Sequence, residues 1–223
     1  MSGTFEQTDP EIRSVFKRLN LSMRLHFEPL IKIPWGVVQR EIESTAASLK
    51  RKNQNLIADT ISGQLLSNTT FVLATYRVLT PIVQEGESIL AHLQEAMGSL
   101  VNENIEGYIF SRFGITQEQP EKAFERACEN FKKWGEEQMG HSFIYEQEIS
   151  EKSLCVVNIR KCFFNDFFRK NGSSEITPAY CAADNIWMKE LNKPKYLMRV
   201  ERTKTLATGK DVCDFRFSKI RKS

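Results

Sequence analysis

The hydrophobic residues of this 223-residue chain change their spacing once, close to Gly140. Before that point apolar residues recur every three or four positions, as on the buried face of an α-helix. After it, short stretches alternate apolar and polar residues with the period of two that is typical of a β-strand. The order of the segments therefore favours an α+β fold in which helices come first and a sheet follows.

Residues 1–140 are predicted to be mainly helical. Asp9 and Pro10 form an N-cap and first-turn pair, and helical spacing then follows at Ile12, Val15, Phe16, Leu19 and Met23. Further helices are predicted over residues 35–52, from Asn53 to about Thr80, and from Ile82 to about Leu100. A helix over residues 118–139 places Cys128 on its apolar stripe, which indicates a packed thiol rather than a reactive one.

Residues 141–223 are predicted to form a ββααββ unit. SFIYEQEI and LCVVNIR are separated by the turn-like SEKS, which indicates an antiparallel hairpin, and YLMRVERTK with VCDFRFSKI form a second pair. Two helices, KCFFNDFFRK and PAYCAADNIWMKEL, lie between the pairs. No long linker divides the chain, so we expect a single α+β domain over residues 1–223, with helices against an antiparallel sheet of about four strands.

The charge of the chain argues against some classes of partner. Thirty-one Lys and Arg residues against 28 Asp and Glu leave a net charge of +3, which is too weak a field to favour nucleic acid or an anionic membrane. No apolar run is long enough for a membrane helix, and MSGTFEQTDPEIR has no feature of a secretory signal, so a cytoplasmic location is expected. A small molecule is the expected partner, and a homo-oligomer is left open.

The cysteines and histidines argue against disulfides, metals and other cofactors. The five cysteines are odd in number and include no CxxC pair, so free thiols are expected. The three histidines lie far apart, and no close-spaced pair of metal ligands is present. Catalysis without a metal is therefore predicted.

The helix around Cys181 is the strongest candidate for chemistry. Thr177 is a good N-cap and Pro178 is favoured at the first helical position, so Cys181 is expected near the first turn, where a thiolate is stabilised and the thiol pKa lowered. Asp184 and Asn185 follow at i+3 and i+4, on the same helix face as the sulfur. The alternative is that Cys181 and the adjacent alanines are small residues for close packing, and spacing alone does not decide between the two.

The preceding helix has two different faces. Four phenylalanines are predicted to be buried, namely Phe163, Phe164, Phe167 and Phe168. Cys162, Asp166 and Arg169 share the other face, which is either functional or an ordinary solvated surface. Cys213 alternates with Phe215 and Phe217 on a strand, and packing explains it adequately.

These segments resemble a known family. The run KCFFNDFFRKNGSSEITPAYCAADNIWMKELN, followed by VERTKTLATGKDVCDFRF, is similar to the L-2-amino-thiazoline-4-carboxylic acid hydrolases, with their Cys-Phe helix, T-P-x-x-C-x-x-D element and closing T-L-A-x-G-x-x-x-C-x-F-x-F. The similarity extends over roughly residues 55 to 219 and is specific in its last third. It implies a metal-independent hydrolase that adds water to a small carboxylated ring and expels the ring sulfur.

The resemblance also implies roles for particular residues. Cys162, Cys181, Asp184 and Cys213 match the motif positions. The expected catalytic residues are Cys181, Asp184 and Cys162, with Cys181 as nucleophile and Asp184 hydrogen-bonded to a substrate nitrogen. The expected substrate-binding residues are Asn165, Asn185, Cys213 and one of the arginines Arg169, Arg199 or Arg202. Water activation by Asp184 remains an alternative mechanism. Related C–N or C–S chemistry in a biosynthetic pathway and a non-catalytic binding domain are alternative functions.

Overall fold

A computed structural model of the chain describes residues 10–83 and 88–220, with side chains from residue 15 onward. These ranges hold eight α-helices: α1 (Pro10–Phe27), α2 (Trp35–Lys52), α3 (Thr60–Leu79), α4 (Ile89–Asn102), α5 (Ile105–Phe113), α6 (Ala123–Met139), α7 (Phe163–Lys170) and α8 (Thr177–Leu191). They also hold four strands: β1 (Ile144–Ser150), β2 (Leu154–Lys161), β3 (Met198–Arg202) and β4 (Cys213–Lys219). The α+β prediction, with helices first, is confirmed.

The four strands form one antiparallel sheet in the order β1-β2-β4-β3. Both predicted strand pairs are present, and β2 also pairs with β4, so the two hairpins join into a continuous sheet. The chain between β2 and β3 contains α7 and α8. The N-terminus of α7 and the N-terminal half of α8 are thereby held near the β2 and β4 ends that pair Ile159 with Cys213.

An aromatic cluster joins the helices to the sheet, and Phe131 of α6 lies at its centre with a fully buried ring. Its ring centroid is 4.9 Å from that of Phe215 and 5.3 Å from that of Phe217, both on β4. The same ring lies 6.0 Å from Trp187 of α8 and 6.1 Å from Tyr145 of β1. One helix therefore fixes the positions of α8 and the sheet relative to each other.

Two predicted helix boundaries are wrong, and side-chain caps explain both. The helix predicted from Asn53 begins at Thr60, because the Asp59 carboxylate accepts the Ser62 amide at 2.6 Å while the Ser62 hydroxyl accepts the Asp59 amide at 2.8 Å. The helix predicted from Ile82 begins at Ile89, where the Ser88 hydroxyl accepts the Ala91 amide at 3.2 Å. Part of that second prediction, at residues 84–87, lies outside the described residues.

The first helix follows the predicted apolar pattern only in part. Leu19 and Met23 are buried and Phe16 is half-buried, whereas Val15 is 47% exposed. The predictions for Asp9 and for the Ile12 side chain lie outside the described part of the chain.

No helix within the described ranges is long and apolar enough to cross a membrane.

We predict that Asp59→Ala lowers the free energy of unfolding by about 1 kcal/mol, the usual effect of losing an N-cap. Asp59 also accepts the His141 amide at 2.9 Å, and the Ser62 amide bond, followed by the His141 one, holds the pKa of its carboxyl well below the ordinary range. Because the folded-state pKa is lowered, the contribution is present above the unfolded pKa of about 4 and is lost as the pH falls below it. Urea denaturation at a series of pH values tests this: the gap between wild type and variant closes on acidification. A gap that widens in acid would contradict the cap.

Candidate functional site

The first helix of the candidate site, α7, is anchored by its phenylalanines. Phe163, Phe167 and Phe168 are buried, which confirms three of the four predicted positions. Phe164 is only partly buried, because it lies at the edge of the helix, stacked on Tyr180 with 4.2 Å between ring centroids. The residue before α7 is Cys162, which occupies the N-cap position and is half-buried. Cys162 therefore lies at the start of the helix predicted over KCFFNDFFRK.

The start of α8 differs from its prediction. Thr177 is the first helical residue and Ile176 is the N-cap, because a 3-10 turn at Ser174–Ile176 leads directly into the helix. The Thr177 hydroxyl is buried without a hydrogen-bond partner among the described residues, so it caps nothing. Cys181 is thus the fifth residue of α8, beyond the first turn in which the helix dipole is strongest.

Two thiols from separate elements contact one hydroxyl group, and a third thiol lies near both of them. The Cys213 thiol on β4 donates to Thr205 Oγ1 at 3.5 Å, and Cys181 Sγ lies 4.0 Å from the same oxygen. Cys162 lies within electrostatic range of both sulfurs. We call Cys162, Cys181, Cys213 and Thr205 the thiol cluster. Cys213 is buried, whereas Cys162 and Cys181 are partly exposed.

The hydrogen bonds of Thr205 fix the direction of its hydroxyl proton. Its oxygen accepts the Ala207 amide at 3.2 Å as well as the Cys213 thiol, so both lone pairs are occupied. The hydroxyl proton is then left for the Cys181 sulfur, and this bond lowers the thiol pKa slightly. The Cys213 sulfur in turn accepts the Leu206 amide at 3.3 Å. Cys213 is therefore held in place from both sides, in agreement with its predicted packing role.

The expected lowering of the Cys181 pKa is wrong. Burial, followed by the negative charge of Asp184, raises the pKa of Cys181 to about 11, although Arg202 opposes the shift. Burial likewise raises the pKa of Cys162, in spite of the nearby amides of Asn165 and Phe164. Desolvation of the charged form outweighs these favourable contacts. Both thiols are therefore protonated at neutral pH.

Asp184 lies between two arginines that are almost entirely buried. Its Oδ2 accepts Arg202 Nη1 at 2.8 Å, and its Oδ1 lies 3.5 Å from Arg112 Nη1. The Trp187 indole also donates to Oδ1, at 2.9 Å. We call Arg112, Asp184 and Arg202 the charged triad. Because both carboxylate oxygens already accept hydrogen bonds from cations or an indole, Asp184 has little capacity left to take a proton from water.

Arg112 is surrounded by aromatic rings. Its side chain is 7% exposed, and its Nη1 donates to the Tyr108 hydroxyl at 2.6 Å. The guanidinium carbon lies between 4.5 and 5.8 Å from the ring centroids of Tyr108, Phe113, Phe131, Trp134 and Trp187. Distances below about 6 Å are those of cation–π contact. The positive charge is thus stabilised in a site that excludes most water.

Tyr145 connects the charged triad to the thiol cluster. Its ring passes so close to α6 that a Cβ at position 135 would overlap it, and Gly135 provides the space. Burial is the main cause that raises the pKa of Tyr145; the charge of Arg112 opposes this shift and that of Asp184 adds to it. Tyr145 is thus within electrostatic range of the charged triad and, through Cys162, of the thiol cluster. It is a neutral donor and acceptor at pH 7.

The other sequence-predicted residues lie at different distances from the thiol cluster. Asn165 is half-buried in the first turn of α7, beside Cys162, and Asn185 is exposed, with its amide oxygen 3.3 Å from Arg202 Nη2. Arg169 is exposed and seven residues beyond Cys162, about 10 Å along the helix axis. Arg199 is exposed on β3 and pairs with Glu201 at 2.7 Å. The structure thus brings Asn165 and Asn185 toward the site and leaves Arg169 and Arg199 at the surface.

Sequence reasoning missed Arg112, Tyr108, Tyr145 and Thr205. Arg112 follows Tyr108 by four positions and Ile109 by three, so it stands on the apolar face of α5, and a charged residue on such a face is a signal of a buried ion pair. Thr205 is part of the T-L-A motif. Nothing in the sequence around Tyr145 marks it as a site residue.

An open groove between α4 and α8 is lined by Asn185 but by none of the three clustered cysteines.

The two remaining cysteines form a separate pair. The Cys128 thiol on α6 donates to the Cys155 sulfur on β2, which raises the pKa of Cys128 and lowers that of Cys155. Cys128 packs against the core, as predicted.

Within the described ranges no group of three or more His, Cys, Asp or Glu side chains is arranged to hold a metal ion.

These features define an α+β protein with a thiol-lined site beside a buried charged triad. A family model described as L-2-amino-thiazoline-4-carboxylic acid hydrolase matches residues 68–217. The match covers about two thirds of the chain, so the chain belongs to the L-2-amino-thiazoline-4-carboxylic acid hydrolase family. No curated protein and no solved structure shows significant similarity to it. The matched range contains the thiol cluster and the charged triad, and hydrolase-like function is thereby supported for the family.

Proposed function

We propose that the protein hydrolyses a small carboxylated heterocycle, of the 2-amino-thiazoline type, with Cys181 as the nucleophile. The observation that carries the proposal is that the thiols of Cys181 on α8 and Cys213 on β4 both contact the Thr205 hydroxyl, with the Cys162 thiol, at the start of α7, near them. Cys181 is the better nucleophile of the two thiols that contact Thr205, because it is partly exposed while Cys213 is buried. Membership of the family supports the reaction class.

The proposed reaction has two balanced steps. In the first, Cys181 Sγ forms a bond to the ring carbon between nitrogen and sulfur, the bond from that carbon to the ring sulfur breaks, and the ring sulfur receives the thiol proton. The product is an isothiourea linked to Cys181. In the second, water adds to the same carbon, Cys181 leaves and recovers a proton, and an N-carbamoyl cysteine is released. The sum is addition of one water molecule.

The raised pKa of Cys181 is compatible with this sequence. A thiol that keeps its proton until it attacks can deliver that proton to the leaving sulfur, so no free thiolate is required at neutral pH. Because Thr205 donates to the Cys181 sulfur, the thiol proton is directed away from Thr205. Arg202 Nη2 lies 3.3 Å from the Cys181 carbonyl oxygen and so fixes this turn of α8 against β3.

Water activation by Asp184 is the less favoured alternative. A general base needs a free lone pair within reach of water, and the Asp184 oxygens accept hydrogen bonds from Arg202 and Trp187 and face Arg112. We propose that Asp184 positions Arg202 and Cys181 rather than taking a proton. A non-catalytic binding domain remains the rival function that the experiment below can identify.

We predict that Cys181→Ser lowers turnover of L-2-amino-thiazoline-4-carboxylate by about a thousandfold or more, because a serine hydroxyl without a base is a poor nucleophile. Cys128→Ser removes a thiol of similar partial exposure far from Thr205 and is the matched control, expected to remain close to wild type. The assay separates product from substrate by chromatography and detects N-carbamoyl cysteine by mass. Intact-protein mass spectrometry during turnover is expected to show the substrate-linked enzyme in wild type and not in Cys181→Ser.

The outcomes distinguish the candidate functions. Full activity of Cys181→Ser, with loss in Cys162→Ser, would transfer the nucleophilic role to Cys162. Full activity of both variants would favour water attack. Substrate binding without any turnover by the wild type would establish the binding-domain function and refute hydrolysis of this ring.

A further inference from the structure

The charged triad carries one more positive charge than it can neutralise. The Arg112 and Arg202 side chains are 7% and 9% exposed, and among the described residues both pair with the single carboxylate of Asp184. Two guanidinium groups and one carboxylate leave a net charge of +1. Buried charges are normally paired, because an uncompensated one loses much of its hydration energy. The arrangement therefore lacks one anion.

The neighbouring titratable groups do not supply that anion. Burial raises the pKa of the Cys162 and Cys181 thiols and of the Tyr108 and Tyr145 hydroxyls, so all four are neutral at pH 7. The rings around Arg112 stabilise its charge by cation–π contact but do not neutralise it. Among the described residues, therefore, no group neutralises the extra positive charge, and an anionic ligand would do so.

Of the two arginines, Arg112 has the free donor. Arg202 already uses its terminal nitrogens on Asp184, the Cys181 carbonyl and Asn185. Arg112 Nε is buried and has no hydrogen-bond partner among the described residues. An unpaired donor on a buried cation is costly, and a carboxylate oxygen is the acceptor that would satisfy both the donor and the charge.

We propose that Arg112 is the binding residue for the carboxylate of a small cyclic ligand, whose ring then packs against the aromatic residues around the guanidinium group. The inference rests on the proposed function in taking the ligand to be the carboxylated ring that Cys181 attacks. Cys181 and Asp184 are one helical turn apart, about 5–6 Å between Cβ atoms, which is the scale of a five-membered ring with its carboxylate. The surface arginines Arg169 and Arg199 then have no part in binding.

The test is a binding measurement that does not depend on turnover. The probe is L-thiazolidine-4-carboxylate, a saturated ring that has no carbon for the thiol to attack, and its carboxamide is the uncharged comparison. By titration calorimetry we expect the wild type to bind the carboxylate at least tenfold more tightly than the carboxamide. Arg112→Gln should weaken carboxylate binding about 10- to 100-fold, as expected for loss of a charged hydrogen-bond partner. Arg112→Lys should retain more of the affinity than Arg112→Gln.

Two further variants act as controls. Arg18→Gln removes an exposed arginine from α1, and it should bind the probe as the wild type does. Arg169→Gln tests the surface arginine directly and is also expected to leave the affinity unchanged. Circular dichroism checks the fold of each variant. If Arg112→Gln does not fold, Arg112→Lys keeps the positive charge and tests the guanidinium group: weaker carboxylate binding is expected, and unchanged affinity would overturn the inference.

The result that overturns the inference is equal binding of carboxylate and carboxamide by the wild type, or unchanged carboxylate affinity in a folded Arg112→Gln. Loss of affinity in Arg169→Gln would equally overturn it. These outcomes are separable from failure of the proposed function: probe binding through Arg112 without hydrolysis of any ring refutes only the hydrolysis, whereas hydrolysis with no role for Arg112 refutes only the carboxylate site.

Discussion

Replacing Asp184 with alanine is expected to lower the free energy of unfolding by about 3–5 kcal/mol, the usual consequence of removing one partner from a buried ion pair. The variant leaves two largely buried guanidinium groups without a counter-charge and removes the acceptor of the Trp187 indole. It also loses the contact that holds Arg202 against α8. Urea denaturation at pH 7 measures the change.

Asp211→Ala is the matched control for this prediction. Asp211 is 72% exposed and lies 3.8 Å from Arg160, so its loss should change the free energy of unfolding by less than about 0.5 kcal/mol. Asp184→Asn keeps the shape of the side chain and should fall between the two. If Asp184→Ala were as stable as the control, the triad would not be a buried, coupled group.

Phe167→Ala is expected to destabilise the fold by about 3–5 kcal/mol, as large truncations in a core do. Phe167 is fully buried and lies 5.4 Å from Phe168 and 6.2 Å from Phe163, measured between ring centroids. The cavity would open directly beneath α7, so the position of Cys162 at its start should be disturbed as well. Denaturation midpoints and turnover of the same variant measure the two effects.

Phe164→Ala provides the internal comparison for α7. Phe164 is partly exposed and stacks on Tyr180, so its removal lets solvent occupy part of the space and should cost less than removal of Phe167. The sequence alone predicted equal losses at the two positions. An equal or larger loss at Phe164 would mean that the buried face of α7 is centred on the other side.

The order of the elements could be predicted from the sequence because the signals are local. The change of hydrophobic period near Gly140 separates helices from strands, and both strand pairs follow from the alternation of apolar and polar residues. Helix boundaries were harder to predict where two sequence patterns indicated different starting residues. The apolar residues between Asn53 and Thr60 continue the helical spacing, but the Asp59–Ser62 capping box starts α3 later.

The sequence also predicted some of the residues of the candidate site. The motif segments contain the three clustered cysteines, Asp184 and Thr205. The proximity of the three cysteines could not be predicted from the sequence. Cys162, Cys181 and Cys213 belong to different parts of the chain, and only the packing of α7 and α8 beside β4 brings them together. Arg112, which lies about 70 residues before Asp184 in the chain, could be connected to the site only through the fold.

The pKa of Cys181 shows where sequence reasoning ends. From sequence, the helix start and the Thr177-Pro178 pair predicted a lowered pKa, since the dipole and capping are properties of neighbouring residues. The tertiary structure reverses the sign, because it buries the thiol and places Asp184 close to it. The order of residues along the chain thus determined the secondary-structure elements and the candidate residues of the site. The burial of a side chain and the electrostatic potential around it depend on atoms from the whole fold. Only the tertiary structure therefore decided which groups lie together and whether each of them carries a proton.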